Sequence, residues 1–227
     1  MKTSFLLFIV ALLPVVLSAL IYLAERTKTV RKIPYAARQI ITGILFGGLA
    51  IIGTEFGIKT DGAIINARDA SPLCAGLLFG APAGIIAGVI GGVERWLAAY
   101  WGAGEYTRLA CSVSTVLAGV FAAVLRKYMF DNKKPKWYYC LATAAITEVI
   151  HMLMIFLTNM TDAKTAFSFV RACSLPMIAV NSLAVMLAGL LLTVLSGAER
   201  KNVRHELKKF PSRSSAFFLS VSWRASL

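Results

Sequence analysis

Long apolar runs separated by short polar connections dominate the pattern of this chain. The runs lie at residues 4–24, 36–56, 70–94, 107–126, 137–158 and 172–196. A helix needs about 20 apolar residues to cross the hydrocarbon core of a bilayer, because each residue adds about 1.5 Å to its length. The pattern therefore predicts an all-α integral membrane protein.

The third run differs from the others because it is broken in its middle. Residues 70–94 are rich in glycine, and Gly80, Pro82 and Gly84 lie near the centre. Proline removes a backbone donor and interrupts a helix, so this sequence favours a re-entrant segment that dips into the membrane and returns to the same face. Alternatively, the run is a sixth span whose small residues, four apart, pack closely against a neighbouring helix.

The distribution of basic residues favours the re-entrant alternative. Most of the 24 Lys and Arg residues lie in three clusters, within residues 26–38, 126–136 and 200–224. Cytoplasmic connections carry an excess of Lys and Arg, and all three clusters are cytoplasmic only if residues 70–94 do not cross. The sequence therefore predicts five full transmembrane helices plus a Gly/Pro-broken re-entrant segment, with the N-terminus outside and the C-terminus cytoplasmic.

Three regions are expected along the chain. Residues 1–29 hold the first transmembrane helix, residues 30–197 form a five-transmembrane domain, and residues 198–227 form a basic cytoplasmic tail. The tail is predicted to begin as a helix up to Lys209, before Pro211 interrupts it.

Composition narrows the class of function. Of the 227 residues, 58% are hydrophobic and 15% charged, and the mean hydropathy is +0.71. The spans leave no segment for a soluble catalytic domain, so we expect no enzyme activity and no catalytic residues. The net charge of +13 comes from clusters that membrane orientation requires, which argues against nucleic acid as a partner. The four cysteines form no CxxC or Cys/His cluster, so we expect no metal, cofactor or disulfide.

Two arginines frame the broken run and form the centre of the candidate site. An arginine at membrane depth is a hypothesis of function, and a re-entrant segment would bring Arg68 and Arg95 to one face. Their planar guanidinium groups suit a small carboxylate. Cys111 and Ser114, three residues apart on one helix face, could donate to a keto or hydroxyl oxygen of that ligand. Alternatively, Ser114 bonds its own helix backbone and Cys111 only packs.

Further polar residues within the apolar runs are candidates for supporting roles. Glu148 in mid-span needs a partner. Arg68 or Arg95 could provide it. Alternatively, Glu148 and His151 form a purely structural pair, or Glu148 is protonated. A proton-coupled role stays open, because histidine titrates near neutral pH. Asn181 in the last run is expected to bridge helices rather than to bind the ligand.

With these residues in place, the chain resembles the LytS/YhcK-type five-transmembrane receptor domain of bacterial sensor proteins. The resemblance covers residues 30–197. The matching elements are Asn66-x-Arg68, the Gly-Leu-Leu-Phe-Gly80-x-Pro82-x-Gly84 run, Gly88 and Gly92 before Arg95, Cys111-x-x-Ser114, the span with Glu148, and Pro176 with Asn181-Ser-Leu.

The resemblance implies an input domain in the bacterial plasma membrane. In relatives this domain is fused to a histidine kinase or to a cyclic-dinucleotide enzyme, and members are linked to cell-wall regulation. Some members sense pyruvate, and the residues implicated there match Arg68, Arg95, Cys111 and Ser114. Apart from the resemblance, Asn66, Glu148, His151 and Asn181 are expected to support or couple the site. A homodimer, or a separate signalling protein, is the implied partner.

The chain also departs from the family pattern. Ala98 and Ala99 stand where glycine is usual in the family. The loop from Arg95 to Cys111 is also several residues longer than the family pattern. No phosphoacceptor-histidine helix and no Gly-rich ATP lid follow the last span. The sequence is therefore compatible with a truncated gene product and with a free-standing receptor.

Two main classes of function remain open, beside a third in which the chain is a structural scaffold with a vestigial site. The first is a receptor module that binds a small extracellular carboxylate and signals through its last helix. The alternative is a small-solute carrier or the substrate-binding subunit of a transporter, because a broken helix beside a charged site also occurs in transporters.

Overall fold

The computed structural model describes residues 2–60, 63–101 and 104–209, with side-chain surroundings for residues 6–58, 64–101 and 104–197. The chain divides into two compact units, residues 1–192 and residues 193–227. The first unit contains every candidate site residue. The predicted interruption at Pro211 lies outside the described residues.

Helices make up most of the described chain. They are α1 (Lys2–Ala24), α2 (Lys28–Arg31), α3 (Tyr35–Glu55), α4 (Ala70–Cys74), α5 (Ala81–Ala98), α6 (Arg108–Val124), α7 (Trp137–Thr158) and α8 (Ala163–Lys209). A π-helical turn, Ala75–Phe79, continues α4, and another, Leu125–Met129, continues α6. Short 3-10 turns lie at Ala99–Trp101, Glu105–Thr107 and Met160–Asp162.

Five helical stretches within the described residues are long and apolar enough to cross a membrane. They are Leu6–Ala24, Tyr35–Glu55, Glu105–Met129, Trp137–Thr158 and Met160–Gly197. This confirms the five predicted spans. The last helix begins at Ala163, earlier than the apolar run at 172, because Ala166 and Val170 present an apolar face to the core one turn apart.

The third apolar run is a helical hairpin rather than a single helix. α4 and its π-helical turn lead to Gly80, and α5 returns along them with Pro82 in its first turn, where a missing N–H is tolerated. The two halves pack closely, since a Cβ on Gly84 would lie 2.5 Å from the Gly76 Cα. The predicted break is confirmed and has its centre at Gly80, so the chain enters and leaves the hairpin at the same end.

The side chain of Gln39 on α3 satisfies the backbone groups that the break exposes. Its Nε2 donates to the Phe79 carbonyl at 3.2 Å, and its Oε1 accepts from the Ala83 N–H at 3.3 Å. A Cβ on Gly80 would collide with this amide and would lie 2.9 Å from the Tyr35 hydroxyl oxygen. These atoms end flexible side chains and could shift, but the φ of Gly80 is 158°, a conformation that other residues rarely adopt, so the break favours glycine.

Other glycines of α5 allow a close approach to α6. A Cβ on Gly88 would lie 3.0 Å from the Thr115 carbonyl oxygen, and one on Gly92 would lie 2.8 Å from the Ser112 carbonyl oxygen. Small residues let helix backbones approach in this way, so the glycine pattern serves packing as well as the break. The consequence is that the N-terminal half of α6 lies against the open end of the hairpin.

A short β-hairpin, which the apolar pattern did not predict, leads into the candidate site. Strand β1 (Ile58–Thr60) pairs antiparallel with β2 (Ala63–Ile65), with Ile58 opposite Ile65. Three-residue strands are too short to show a clear alternation of apolar and polar residues. The hairpin places Asn66 and the residues after it beneath the end of α3.

Candidate functional site

The segment between β2 and α4 places Arg68 in the protein interior. Asn66 Oδ1 accepts from the Arg68 N–H at 3.3 Å, and Asn66 Nδ2 donates to the Ile64 carbonyl at 3.2 Å. Such local bonds are typical of asparagine in turns. α3 closes the other side, where a Cβ on Gly53 would lie 2.8 Å from the Arg68 Cα. The turn and the close contact with α3 therefore hold Arg68 in one position.

The Arg68 guanidinium is fully buried and joins three elements. Its Nε donates to Thr115 Oγ1 at 2.7 Å and to Asp69 Oδ1 at 3.3 Å. Its Nη1 lies 3.4 Å from Thr54 Oγ1, and its Nη2 lies 3.5 Å from the Cys111 carbonyl oxygen. A guanidinium presents five donors in a rigid fork. Asp69 is the charged acceptor among these contacts, and the hydroxyls and the carbonyl are neutral acceptors.

Arg95 lies near the C-terminal end of α5, where the chain leaves the hairpin, and it reaches the same region as Arg68. It is buried near the end of α5, and its Nη2 donates to the Gly104 carbonyl at 2.8 Å and to Thr107 Oγ1 at 3.3 Å. Its guanidinium also interacts with the Cys111 thiol. Because Arg68 contacts the carbonyl of the same cysteine, the structure brings the two arginines together at Cys111, as the re-entrant prediction requires.

Asp69 is the central acceptor of the cluster, a role that the sequence did not indicate. Its Oδ1 accepts from Thr115 Oγ1 at 2.6 Å as well as from Arg68, and its Oδ2 lies 2.9 Å from His151 Nδ1. Burial by itself raises the pKa of this carboxyl, but the Arg68 guanidinium and His151 outweigh it and hold the pKa well below its usual range. Asp69 is therefore a buried carboxylate.

His151 links Asp69 to the Cys111 thiol. Its Nε2 lies 3.3 Å from Cys111 Sγ, and the ring is fully buried. Since an ionised carboxylate only accepts hydrogen bonds, His151 Nδ1 is the donor to Asp69, and Nε2 faces the Cys111 sulfur. Cys111 itself keeps 7% of its surface exposed.

Glu148 approaches the same nitrogen of His151 as Asp69 does. Its Oε2 is 3.7 Å from His151 Nδ1, and neither carboxylate oxygen has a hydrogen-bond partner among the described residues. The sequence analysis proposed Arg68, Arg95 or His151 as the partner of Glu148, and the structure shows the contact with His151. Donor atoms of Asp69, Glu148 and His151 lie within 4.8 Å of one another, a spacing that could hold a metal ion. The Arg68 charge on the same carboxylate opposes a cation there.

Ser114 does not share the contacts of Cys111. It is buried, its Oγ has no hydrogen-bond partner in the part of the chain that the structure describes, and it borders a cleft of about 220 Å³ between α6 and α7. The hydroxyl in the arginine cluster is that of Thr115 instead. Spacings of three and of four residues both place a side chain on the face of Cys111, so the sequence alone could not choose between Ser114 and Thr115.

Asn181 joins the last helix to the start of the hairpin. Its Oδ1 accepts from the Ala70 N–H at 2.9 Å, and its Nδ2 donates at 3.1 Å to the carbonyls of Asn66 and Met177. These bonds bridge α8 and the segment that carries Arg68, in the manner expected of a helix-bridging amide.

Comparison with known proteins agrees with this architecture. The family model described as the 5TMR of 5TMR-LYT matches residues 21–194. The chain belongs to this family. It is the receptor domain that the resemblance indicated, and no solved structure matches the chain.

Curated relatives are sensor proteins. Sensor histidine kinase BtsS of Escherichia coli K12 is 27% identical over 182 residues, which are 79% of this chain and 30% of the relative. Sensor histidine kinase YpdA of the same organism is 25% identical over 164 residues, covering 72% and 28%. Sensor protein LytS of Bacillus cereus is 31% identical over 147 residues, covering 62% and 23%. The chain thus spans less than a third of each relative and corresponds to a membrane receptor module of two-component sensors.

Proposed function

We propose that this receptor module binds a small carboxylate of the size of pyruvate from the extracellular side. The observation that carries the proposal is that two buried arginines flanking the hairpin both act on Cys111. Arg68 Nη2 lies 3.5 Å from the Cys111 carbonyl oxygen, and the Arg95 guanidinium interacts electrostatically with the Cys111 thiol. Arg68 and Arg95 stay charged at any relevant pH. Two guanidinium groups near one residue suit a carboxylate, because each offers a planar fork of donors and a positive charge.

Apart from the ion pair between Arg68 and Asp69, the present hydrogen bonds of the two arginines go to neutral acceptors and can be exchanged for stronger ones. Arg95 donates to the Gly104 carbonyl and the Thr107 hydroxyl, and Arg68 donates to the Thr54 and Thr115 hydroxyls. Bonds from a guanidinium to a carboxylate are roughly twice as strong as bonds between neutral groups. A bound carboxylate would therefore replace these neutral acceptors and draw the two arginines together.

Signal transmission would follow from the contact between Asn181 and the hairpin. A ligand shifts a protein between conformations only by its differential affinity for them. Movement of Arg68 on carboxylate binding would act on Asn66 and Ala70, both of which bond Asn181 of α8. α8 would then carry the change toward the cytoplasm, in a homodimer or to a separate signalling protein.

The wider role follows from the relatives. Their names as sensor histidine kinases support a role for the module in a two-component pathway, and the family resemblance suggests links to cell-wall regulation and to cyclic-dinucleotide outputs. The module itself would be a binding unit and not an enzyme, located in the bacterial plasma membrane.

The test is ligand-dependent thermal stabilisation of the purified, detergent-solubilised chain with pyruvate, lactate and acetate. We expect a concentration-dependent shift with at least one of them, lost in Arg68→Ala and Arg95→Ala. Arg95→Lys keeps the charge without the fork and should bind more weakly. Arg171→Ala is the matched control, because Arg171 is exposed at the outer end of α8. Unchanged binding in both alanine variants would refute the proposal.

Reconstitution into liposomes separates the receptor from the carrier. A receptor binds the carboxylate without transporting it across the membrane. A carrier takes radiolabelled pyruvate up into the proteoliposomes. Flux that is lost in Arg95→Ala would establish the carrier instead.

A further inference from the structure

Three residues from separate elements form a chain of contacts in the site. Cys111 Sγ on α6 lies 3.3 Å from His151 Nε2 on α7, and His151 Nδ1 lies 2.9 Å from Asp69 Oδ2 before α4. A thiol, an imidazole and a carboxylate in this order are the arrangement that activates a cysteine nucleophile, because the carboxylate orients the ring and the ring takes the thiol proton.

The other cysteines of the chain lack this environment. Cys74 and Cys140 are fully buried, and the thiol of Cys173 donates to the Phe169 carbonyl within its own helix. Cys111 keeps some exposure and lies beside two guanidinium groups. Cationic neighbours and a histidine favour a thiolate, so Cys111 is distinguished from Cys74, Cys140 and Cys173 by its surroundings rather than by its residue type.

We propose that Cys111 adds reversibly to the ketone carbon of a bound 2-oxo carboxylate, with His151 carrying the proton and Asp69 positioning His151. This inference rests on the proposed function, since the arginines must first hold the carboxylate. It adds that the module recognises the ketone by a covalent bond.

The step is balanced without an oxidant or a reductant. The proton of the Cys111 thiol moves to His151 Nε2, and the sulfur electron pair forms a bond to the ketone carbon. The π electrons of the carbonyl move to its oxygen, which then takes the proton back from Nε2. The product is a thiohemiketal, and reversal of the same transfers releases the ligand unchanged, as a receptor requires.

The surrounding charges support this chemistry. The oxygen carries negative charge before it is protonated, and the Arg95 guanidinium lies beside the same thiol. Fixed donors at the point where charge develops stabilise such an oxyanion. The carboxylate on the adjacent carbon, held by the arginines, would keep the ketone carbon close to the sulfur.

The test uses [2-¹³C]pyruvate with the full chain in detergent, followed by carbon NMR. We expect part of the ketone signal to be replaced by a signal from a tetrahedral carbon that is absent from the free ligand and its hydrate. Cys111→Ser should remove this signal, while Cys140→Ala, a change at a buried cysteine remote from the site, should keep it. His151→Gln should diminish it, because the proton carrier is lost.

Lactate separates this inference from the proposed function. It has the same carboxylate but no ketone, so it should bind more weakly than pyruvate in the unaltered chain, and Cys111→Ser should abolish most of that difference. Stabilisation by pyruvate without a tetrahedral carbon would refute the covalent step and leave carboxylate binding intact. Failure of pyruvate, lactate and acetate alike to stabilise the chain would refute the proposed function itself.

A second measurement requires no variant and so does not depend on variant folding. Mass spectrometry after brief treatment with iodoacetamide should find Cys111 alkylated before Cys74, Cys140 and Cys173. Pyruvate should protect Cys111 more strongly than lactate does at equal occupancy. Equal labelling of the four cysteines would contradict an activated Cys111.

Discussion

Asn181 Oδ1 accepts a hydrogen bond from the backbone N–H of Ala70 at 2.9 Å, although 111 residues separate them along the chain. Ala70 is the first residue of α4, where helical N–H groups have no partner within their own helix. Asn181 thus caps the entering half of the re-entrant hairpin from the last helix. If α8 moves relative to α4, the buried N–H of Ala70 loses its hydrogen-bond acceptor.

Replacing Asn181 by alanine should weaken the fold. The side chain is fully buried and makes three hydrogen bonds, and leaving a buried backbone donor unsatisfied costs about 1–3 kcal/mol. We expect Asn181→Ala to lower the thermal unfolding temperature of the purified chain. Hydrogen exchange should show a change in the amides of α8 when the ligand binds to the unaltered chain. We expect Asn181→Ala to lose this change.

Ser182 supplies the matched control for this prediction. It is buried beside Asn181, but its Oγ has no hydrogen-bond partner among the described residues. Ser182→Ala should therefore change stability by less than about 0.5 kcal/mol. An equal loss in Ser182→Ala and Asn181→Ala would show that the hydrogen bonds of Asn181 are not the cause.

The glycine contact within the hairpin predicts a second pair of effects. A Cβ on Gly84 would lie 2.5 Å from the Gly76 backbone, which cannot rotate away, whereas one on Gly48 of α3 would meet nothing within 4 Å. Gly84→Ala should cost about 1–3 kcal/mol through overpacking. Gly48→Ala should be neutral or should stabilise α3 by up to about 1 kcal/mol. Thermal unfolding of the two variants checks both, and a tolerated Gly84→Ala would argue against the close hairpin.

Thr115 and Ser114 make different predictions although they are adjacent. Thr115→Val keeps the shape but removes the hydroxyl that bonds Arg68 and Asp69, so we expect a loss of about 1–3 kcal/mol in stability. Ser114→Ala removes a hydroxyl without a described partner and should leave stability within about 0.5 kcal/mol.

Carboxylate affinity in the same two variants decides which hydroxyl serves the ligand. The family resemblance predicts weaker binding in Ser114→Ala, whereas the observed geometry predicts it in Thr115→Val. Isothermal titration with the carboxylate that stabilises the unaltered chain distinguishes them. Retained affinity in Thr115→Val would show that Thr115 serves the fold alone.

Membrane topology can be checked by the accessibility of introduced cysteines. With a re-entrant hairpin, Lys32→Cys and Lys133→Cys should react only with reagents that reach the cytoplasm, and Glu105→Cys and Asp162→Cys only with reagents that act from outside. The physical reason is that Lys and Arg are retained on the cytoplasmic side. Labelling of Lys32→Cys and Lys133→Cys from opposite sides would mean that residues 70–98 cross the membrane.

The membrane architecture was accessible from the sequence because it depends on local and additive properties. The lengths of the apolar runs determine the spans, and the glycines with Pro82 mark the break. The basic clusters lie on one face only if an even number of spans separates each from the next. The same argument led to Arg68 and Arg95 as a pair, since a hairpin returns its two ends to one face.

The inner composition of the site depended on the tertiary structure. Asp69 meets Thr115 across 46 residues and His151 across 82, and such contacts depend on the rotation and tilt of each helix about its axis. Helical periodicity assigns a face only to within one residue, so it left Ser114 and Thr115 equivalent. The sequence by itself determined that two arginines flank a broken segment within a five-span membrane domain. Only the packed helices decided that a carboxylate, an imidazole and a thiol form a chain of contacts beside these arginines, because that chain requires three separate elements to meet.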